Sequence, residues 1–277
     1  MKFRFHCSST LPLLISLSFG APFAVLAQDI LPSPKVLVIS REYTKLGKDG
    51  AAHQMVEGAY PRALAAGKIP NHYYAAVSLS GPSRALFFHS YSSFADMAAE
   101  QKAATSDSTL SATLDSTNSA DADLLSSKDY SVWVKRDDLS LNQGFRVGTR
   151  YEEITQFVVR PGHHQEWEEL VKMVIDGYKK GVPGAHWGTY EEAYGTTGGV
   201  YLVITTIKAA TELDAEEAQD KQFVEAMGTD GMKKMQELEA ACVESRQTNL
   251  FVIDPKMSYP PEAWVKADPD FWTAGKK

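Results

Sequence analysis

Apolar and polar positions run through the chain in two similar series, offset by about 115 residues, and such self-similarity is the first thing to read. Residues 36–43 and 153–159 alternate or run apolar in the manner of strands. Each is followed by a basic residue and a glycine, Lys45 with Gly47 and Arg160 with Gly162. Helical spacing comes next, over about 51–66 and 164–180, ending at Gly67 and Pro70 and at Gly181 and Pro183. Strand patterns at 73–77 and 186–190 lead through the turns 80–83 and 195–199 to strands at 85–89 and 200–204. Alanine- and acid-rich helical stretches follow, including 106–127, where Leu110 and Leu114 are four apart, and 220–243 with Phe223, Met227, Met235 and Leu238. Strands at 131–134 and 249–253 complete the two series.

Each series therefore reads strand, helix, strand, strand, helix, strand, the order of a ferredoxin-like βαββαβ unit. The predicted fold is α+β: two tandem repeats over 31–141 and 142–257, and a tail over 258–277 carrying Pro260, Pro261, Pro269 and four aromatic residues. A four-stranded sheet with helices on one face leaves the other face bare. The second repeat is expected to cover it and enclose a cavity between the sheets. The tail is expected to pack over the body as an irregular arm.

The segment Val159, Arg160, Pro161, Gly162, His163, His164, Gln165, Glu166, Trp167, together with the repeat order, resembles the dimeric α/β-barrel superfamily in a tandem form similar to the NIPSNAP and antibiotic-biosynthesis-monooxygenase-like families. The resemblance covers roughly 36–259, and the first half keeps only Lys45, Gly47 and the helix. It implies a fold. The superfamily includes cofactor-free oxygenases, isomerases, haem enzymes and proteins without known activity, so chemistry must be argued from the site.

The first 27 residues carry Lys2 and Arg4, no acid, an apolar run over 11–26, and small residues before Gln28. They read as a cleavable secretory signal, which makes the protein exported, periplasmic or extracellular. Its removal takes the net charge from −7 to −9. An acidic chain lacks the basic footprint of a nucleic-acid binder. No later stretch approaches the roughly 20 apolar residues of a membrane span. Cleavage also removes Cys7, so Cys242 has no intrachain disulfide partner, and its acidic neighbours mark it as a buried, inert thiol.

Nucleotide-binding glycine motifs, HExxH, GxSxG and CxxC are absent, and no cofactor or metal is expected from a motif. The repeat itself points to candidate chemistry. Where the second-half helix has Trp167, Leu170, Val171 and Val174, the first-half helix has His53, Val56, Glu57 and Tyr60. His53 and Glu57 are four apart and share a face. The pair suits a general base held by a carboxylate, or two metal ligands with Tyr60 one turn on, or an ordinary solvated pair on a slightly rotated helix. His89, ending a strand where the second half has Thr205, is a further candidate catalytic residue. Tyr74, Trp187 and Tyr190 are candidate ligand contacts, because strand alternation sends about half of the hairpin aromatics inward.

Two function classes fit. One is a binding or accessory protein with an aromatic-lined cavity for a small apolar or aromatic ligand. The other is a cofactor-independent oxygenase or isomerase with His53 as base and Glu57 orienting it. Either class is compatible with a monomer or a homodimer. The mass of the exported protein should correspond to a chain beginning at Gln28; a product retaining Met1 would contradict the signal.

Overall fold

The structure, a computed structural model, describes residues 30–70 and 72–274, and the expected leader lies outside them. In chain order the elements are β1 (Ile30–Leu31), β2 (Val36–Thr44), α1 (Ala51–Glu57), α2 (Ala59–Ala66), β3 (Tyr73–Ser78), β4 (Arg84–Tyr91), α3 (Phe94–Ser106), α4 (Ser108–Asp121) and β5 (Leu125–Lys135). They continue as β6 (Phe145–Arg146), β7 (Tyr151–Val159), α5 (His164–Gly181), β8 (Gly188–Tyr194), β9 (Val200–Ile207), α6 (Glu216–Cys242), β10 (Val243–Tyr259), α7 (Glu262–Ala267) and α8 (Pro269–Trp272).

Eight strands close into an antiparallel barrel in the order β10-β3-β4-β2-β5-β8-β9-β7. The first-half strands sit together as β3-β4-β2-β5 and the second-half strands as β8-β9-β7-β10, with the same connectivity in each run. The seams are β5 against β8 and β10 against β3. Both seam-forming last strands are far longer than their apolar stretches predict. Ser245 to Thr248 of β10 are exposed and polar, yet they hold register against β7 through backbone pairing.

Where helices cover the wall, closure buries both faces of the strands. Leu37, Ile39, Phe88, Trp133, Ile154, Leu202 and Phe251 fill the barrel. Outside, Tyr73, Ala75 and Phe87 pack on Leu64, Ile69 and Leu110, while Val159 and Tyr201 pack on Trp167, Leu170, Val171 and Ile175 of α5. That is why 85–88 of β4 is apolar without interruption: alternate residues meet different cores.

The two helix layers differ. α5 is continuous, and α6 crosses it closely at two glycines: a Cβ on Gly181 would lie 2.6 Å from the Gln222 carbonyl oxygen, and one on Gly177 would lie 2.5 Å from Met227 Sδ. The matching first-half helix breaks at Gly58 into α1 and α2, so Tyr60 belongs to a separate helix from His53 and Glu57. The stretch 106–127 is largely helical, with the Asp107 side chain accepting from the Thr109 and Leu110 amides at the start of α4.

The tail is not an irregular arm. It forms α7 and α8, whose aromatic residues pack against the barrel interior: Trp272 is buried, and Trp264 stacks on Phe145 at 3.8 Å. Asp268 caps the arrangement through an ion pair to Arg150 at 2.7 Å, and the same guanidinium lies 3.9 Å from the Phe271 ring centre. Because the barrel wall is closed, this contact can only be made at an end of the barrel. Cys242 is buried, and burial raises its thiol pKa.

Trp167 is 1% exposed and its ring touches Phe157 and Tyr201. Replacing it by alanine leaves a cavity between α5 and the barrel and should cost about 3–5 kcal/mol of stability, read as a drop in urea midpoint.

Candidate functional site

Two places bring polar chemistry into the buried body, one inside the barrel and one outside it.

Inside, a cavity of about 440 Å³ is lined by Leu37, Tyr74, Phe145, Glu152, Tyr190 and Trp264, among others. Glu152 shares strand parity with Ile154, so its side chain points into the barrel. It is 1% exposed. The Tyr74 hydroxyl donates to Glu152 Oε1 at 2.8 Å, and Oε2 has no hydrogen-bond partner among the described residues. Burial raises the Glu152 carboxyl to a pKa of about 7, with the Tyr74 hydrogen bond pulling the other way. Around it stand flat apolar surfaces: the Tyr74 ring stacks on Phe88 at 4.6 Å and lies 5.6 Å from Trp264. The Tyr190 hydroxyl donates to the Pro34 carbonyl at 3.3 Å, and burial raises its pKa. Trp187 lines both this cavity and a larger outer cleft of about 570 Å³ under α5 and α6. Its indole N–H is already engaged with the Leu139 carbonyl at 3.1 Å. The three hairpin aromatics named from the sequence, Tyr74, Trp187 and Tyr190, thus all border the barrel cavity.

The second place lies between β2, β5 and the helices α1 and α4. Glu42 shares parity with Val38 and Ser40, opposite to the inward Leu37 and Ile39, and so faces outward under α1. His53 Nε2 lies 3.0 Å from Glu42 Oε2 and 3.7 Å from Asp121 Oδ1. Lys128, directly across from Glu42 in the β2–β5 register, places Nζ 2.5 Å from Glu42 Oε1. His53 and Glu57 are each 3% exposed, Asp121 2% and Glu42 1%. Burial pushes the Glu42 carboxyl up, but the His53 hydrogen bond and the Lys128 ammonium outweigh it and hold the pKa below the ordinary value. Burial together with the charges of Glu42 and Asp121 pushes Glu57 up to about 9, so Glu57 is protonated at neutral pH. Asp121 is raised by burial and by Glu42.

His53 and Glu57 are therefore not a solvated pair, and they do not border the barrel cavity. They share their face of the helix with a buried carboxylate cluster on the outside of the sheet. Tyr60 sits beside this cluster, its hydroxyl donating to Asn118 Oδ1. His89 is on the same outer face, stacked on Tyr73 at 4.9 Å, and burial lowers its pKa to about 4 with help from Lys128. It is a neutral ring at physiological pH.

Four residues of these sites, Glu42, Asp121, Lys128 and Glu152, are not evident from the repeat comparison. Glu152 carries a usable sequence signal, since it stands two positions before Ile154 on the face that becomes the interior. Glu42 carries a weaker one, an acid in line with Val38 and Ser40 on a strand beneath a helix.

No protein-family model and no curated protein matches this sequence. Solved structures do. A candidate monooxygenase from Fusobacterium nucleatum is similar over 80% of this chain and 93% of its own, at 9% identity and a TM-score of 0.51. A candidate monooxygenase from Lactobacillus acidophilus covers 79% and 94% at 8% identity and 0.49. A mutant chlorite dismutase from Candidatus Nitrospira defluvii, in complex with cyanide, covers 85% and 96% at 9% identity and 0.48. At these identities the likeness is one of fold. What this chain shares with the Fusobacterium protein is the α+β fold, seen here as an eight-stranded antiparallel barrel flanked by helices. No described helix is long and apolar enough to cross a membrane.

The Glu152 pKa sets a pH dependence. Its value in the fold, about 7, lies above the ordinary 4.5, so the folded state holds the proton more tightly. That contribution is complete below pH 4.5 and is lost as the pH rises through 7. Glu152→Gln, neutral throughout, should gain about 3 kcal/mol relative to the parent between pH 4 and pH 8. Urea midpoints at the two pH values measure it. Parallel pH profiles would mean that the carboxyl titrates as it does in water.

Proposed function

We propose that this is an exported protein that binds a small, flat, largely apolar molecule inside the barrel and moves a proton on it with Glu152. The observation that carries this reading is a single carboxyl, buried among aromatic rings, with a pKa of about 7 and one oxygen without a partner. A group that titrates near the working pH is the one best able both to take and to return a proton. Tyr74 fixes Oε1, which leaves Oε2 to accept from an acidic O–H or C–H of the ligand. The apolar surfaces of Phe145, Trp264 and Tyr190 around it lower the local dielectric and strengthen that contact. The balance of apolar wall and one convergent polar group is what small-molecule sites commonly have.

The reading keeps the isomerase or cofactor-independent oxygenase class in view and moves its base. His53 is turned to the outer face and bonded to Glu42, so it has no path to a ligand in the barrel. In descent the two four-strand runs are best read as tandem ferredoxin-like repeats of the NIPSNAP or antibiotic-biosynthesis-monooxygenase-like kind. Their shared connectivity supports this. The signal-like leader supports export.

A panel of phenols, naphthols and cyclic β-diketones, titrated against the intrinsic tryptophan fluorescence, provides the test. Binding should be saturable and should disappear in a Trp264 or Tyr74 variant that blocks the cavity. For a ligand with an exchangeable C–H, deuterium uptake followed by NMR should be about 10²–10⁴-fold slower in Glu152→Gln. Unchanged exchange with retained binding would leave a binding protein without proton transfer.

A further inference from the structure

We propose that Glu42, His53, Glu57 and Asp121 form a binding site for one divalent first-row transition-metal cation. This site is independent of the barrel cavity and lies on the opposite face of β2. Each of the four residues offers one ligand atom, and these atoms all lie within 4.8 Å of one another. Donors on opposite sides of a cation, each at about 2.1 Å, are about 4.2 Å apart, so small side-chain rotations close the set.

Three features separate this cluster from ordinary neighbouring acids. The first is burial: all four side chains are shut away under α1 and α4, where solvent does not screen their charges. The second is the state of the oxygens. Glu57 Oε1, Asp121 Oδ1 and Asp121 Oδ2 are buried, and among the described residues only the proton shared between the Glu57 and Asp121 carboxyls serves them. Two buried carboxyls that can lie together only by sharing a proton are expensive, and their oxygens, pointing into one space with Glu42, ask for a positive partner that displaces the proton. The third is charge. Three carboxylates face one cation of the protein, Lys128, and it reaches only Glu42 Oε1. A divalent ion brings the ionised set to neutrality, because three negative charges then meet Lys128 and the metal.

The donor chemistry selects the ion. One imidazole with three carboxylates and no thiolate suits Mn²⁺, Fe²⁺ or Zn²⁺. Calcium prefers six to eight oxygens; the three carboxylates carry six, and Lys128 already holds one of them, Glu42 Oε1. Placement on three separate elements, β2, α1 and α4, lets the ion tie both helices to the sheet. In the metal-bound form His53 Nε2 turns its lone pair to the ion and gives up its contact with Glu42 Oε2, whose oxygen then binds the same ion.

The experiment uses the full exported chain, stripped with EDTA and titrated separately with Zn²⁺, Mn²⁺ and Ca²⁺ by calorimetry, with thermal melts in parallel. One equivalent of Zn²⁺ or Mn²⁺ should bind, at least 10-fold more tightly than Ca²⁺, and should raise the melting temperature. Glu57→Gln keeps the neutral charge of the protonated Glu57, and Asp121→Asn relieves the crowding of Asp121 against Glu42, so the metal-free variants should melt no lower than the parent. Both should lose the metal-induced rise and weaken binding by about 100-fold or more. His53→Ala, confirmed folded by circular dichroism, should do the same. The proposal is overturned if the parent shows no saturable binding, if Ca²⁺ binds as tightly as Zn²⁺ and Mn²⁺, or if folded Glu57→Gln and Asp121→Asn bind metal like the parent.

Discussion

Closure of eight antiparallel strands into one barrel gives the strands two buried faces, and most of what is specific to this molecule follows from that. A strand in an open sheet can leave one face to water. Here alternate residues of β2 must satisfy two environments, Leu37 and Ile39 inside and Ser40 and Glu42 beneath α1. A polar group on a covered stretch of strand must therefore find its partners within the protein. Glu152 is committed to the interior and Glu42 to the helix layer by parity alone, and each is surrounded by groups chosen by its face.

The two halves use the same connectivity for different ends. Under α5 the interface is apolar and conventional: Trp167 packs on Phe157 and Tyr201, and α6 is brought close by Gly177 and Gly181. Under α1 and α4 the matching interface is charged. It is held by the Lys128 to Glu42 ion pair and the His53 contact, and relieved by protonation of Glu57. Removing one partner from such a buried set leaves an uncompensated charge, which is far more costly than losing an exposed pair. A layer of that kind is a poor way to gain stability, which favours a role in binding.

The barrel interior has a different logic. Its wall is apolar, and one end is filled by aromatic residues from outside the barrel, Phe145 from the loop strand and Trp264 and Trp272 from the tail helices. Between apolar walls, one buried carboxyl and one hydroxyl suffice to give the cavity a direction. The same desolvation that raises the Glu152 pKa makes the group sensitive to whatever occupies the space beside Oε2.

The order of strands and helices, the helices after each first strand and the turns were legible in the sequence, because they follow from local periodicity and from comparison of one half with the other; which hairpin aromatics turn inward was not, since Tyr74 and Tyr190 face the interior while Tyr73 and Tyr201 pack outside. His53 and Glu57 stood out for the same reason: polar residues at positions where α5 has Trp167 and Val171 break a pattern that is visible without coordinates. What they meet was not legible. Asp121 and Lys128 arrive from far along the chain, and only the β2–β5 register and the seating of α4 bring them to Glu42. The length of β10 was hidden because its exposed residues pair through the backbone, whose hydrogen bonds leave no mark on side-chain pattern. The tail's role was hidden too, since proline and aromatic content does not say which surface will receive it. Local sequence determined which residues could be buried; closure of the barrel decided which side of the wall each one faced, and so which chemistry each could take part in.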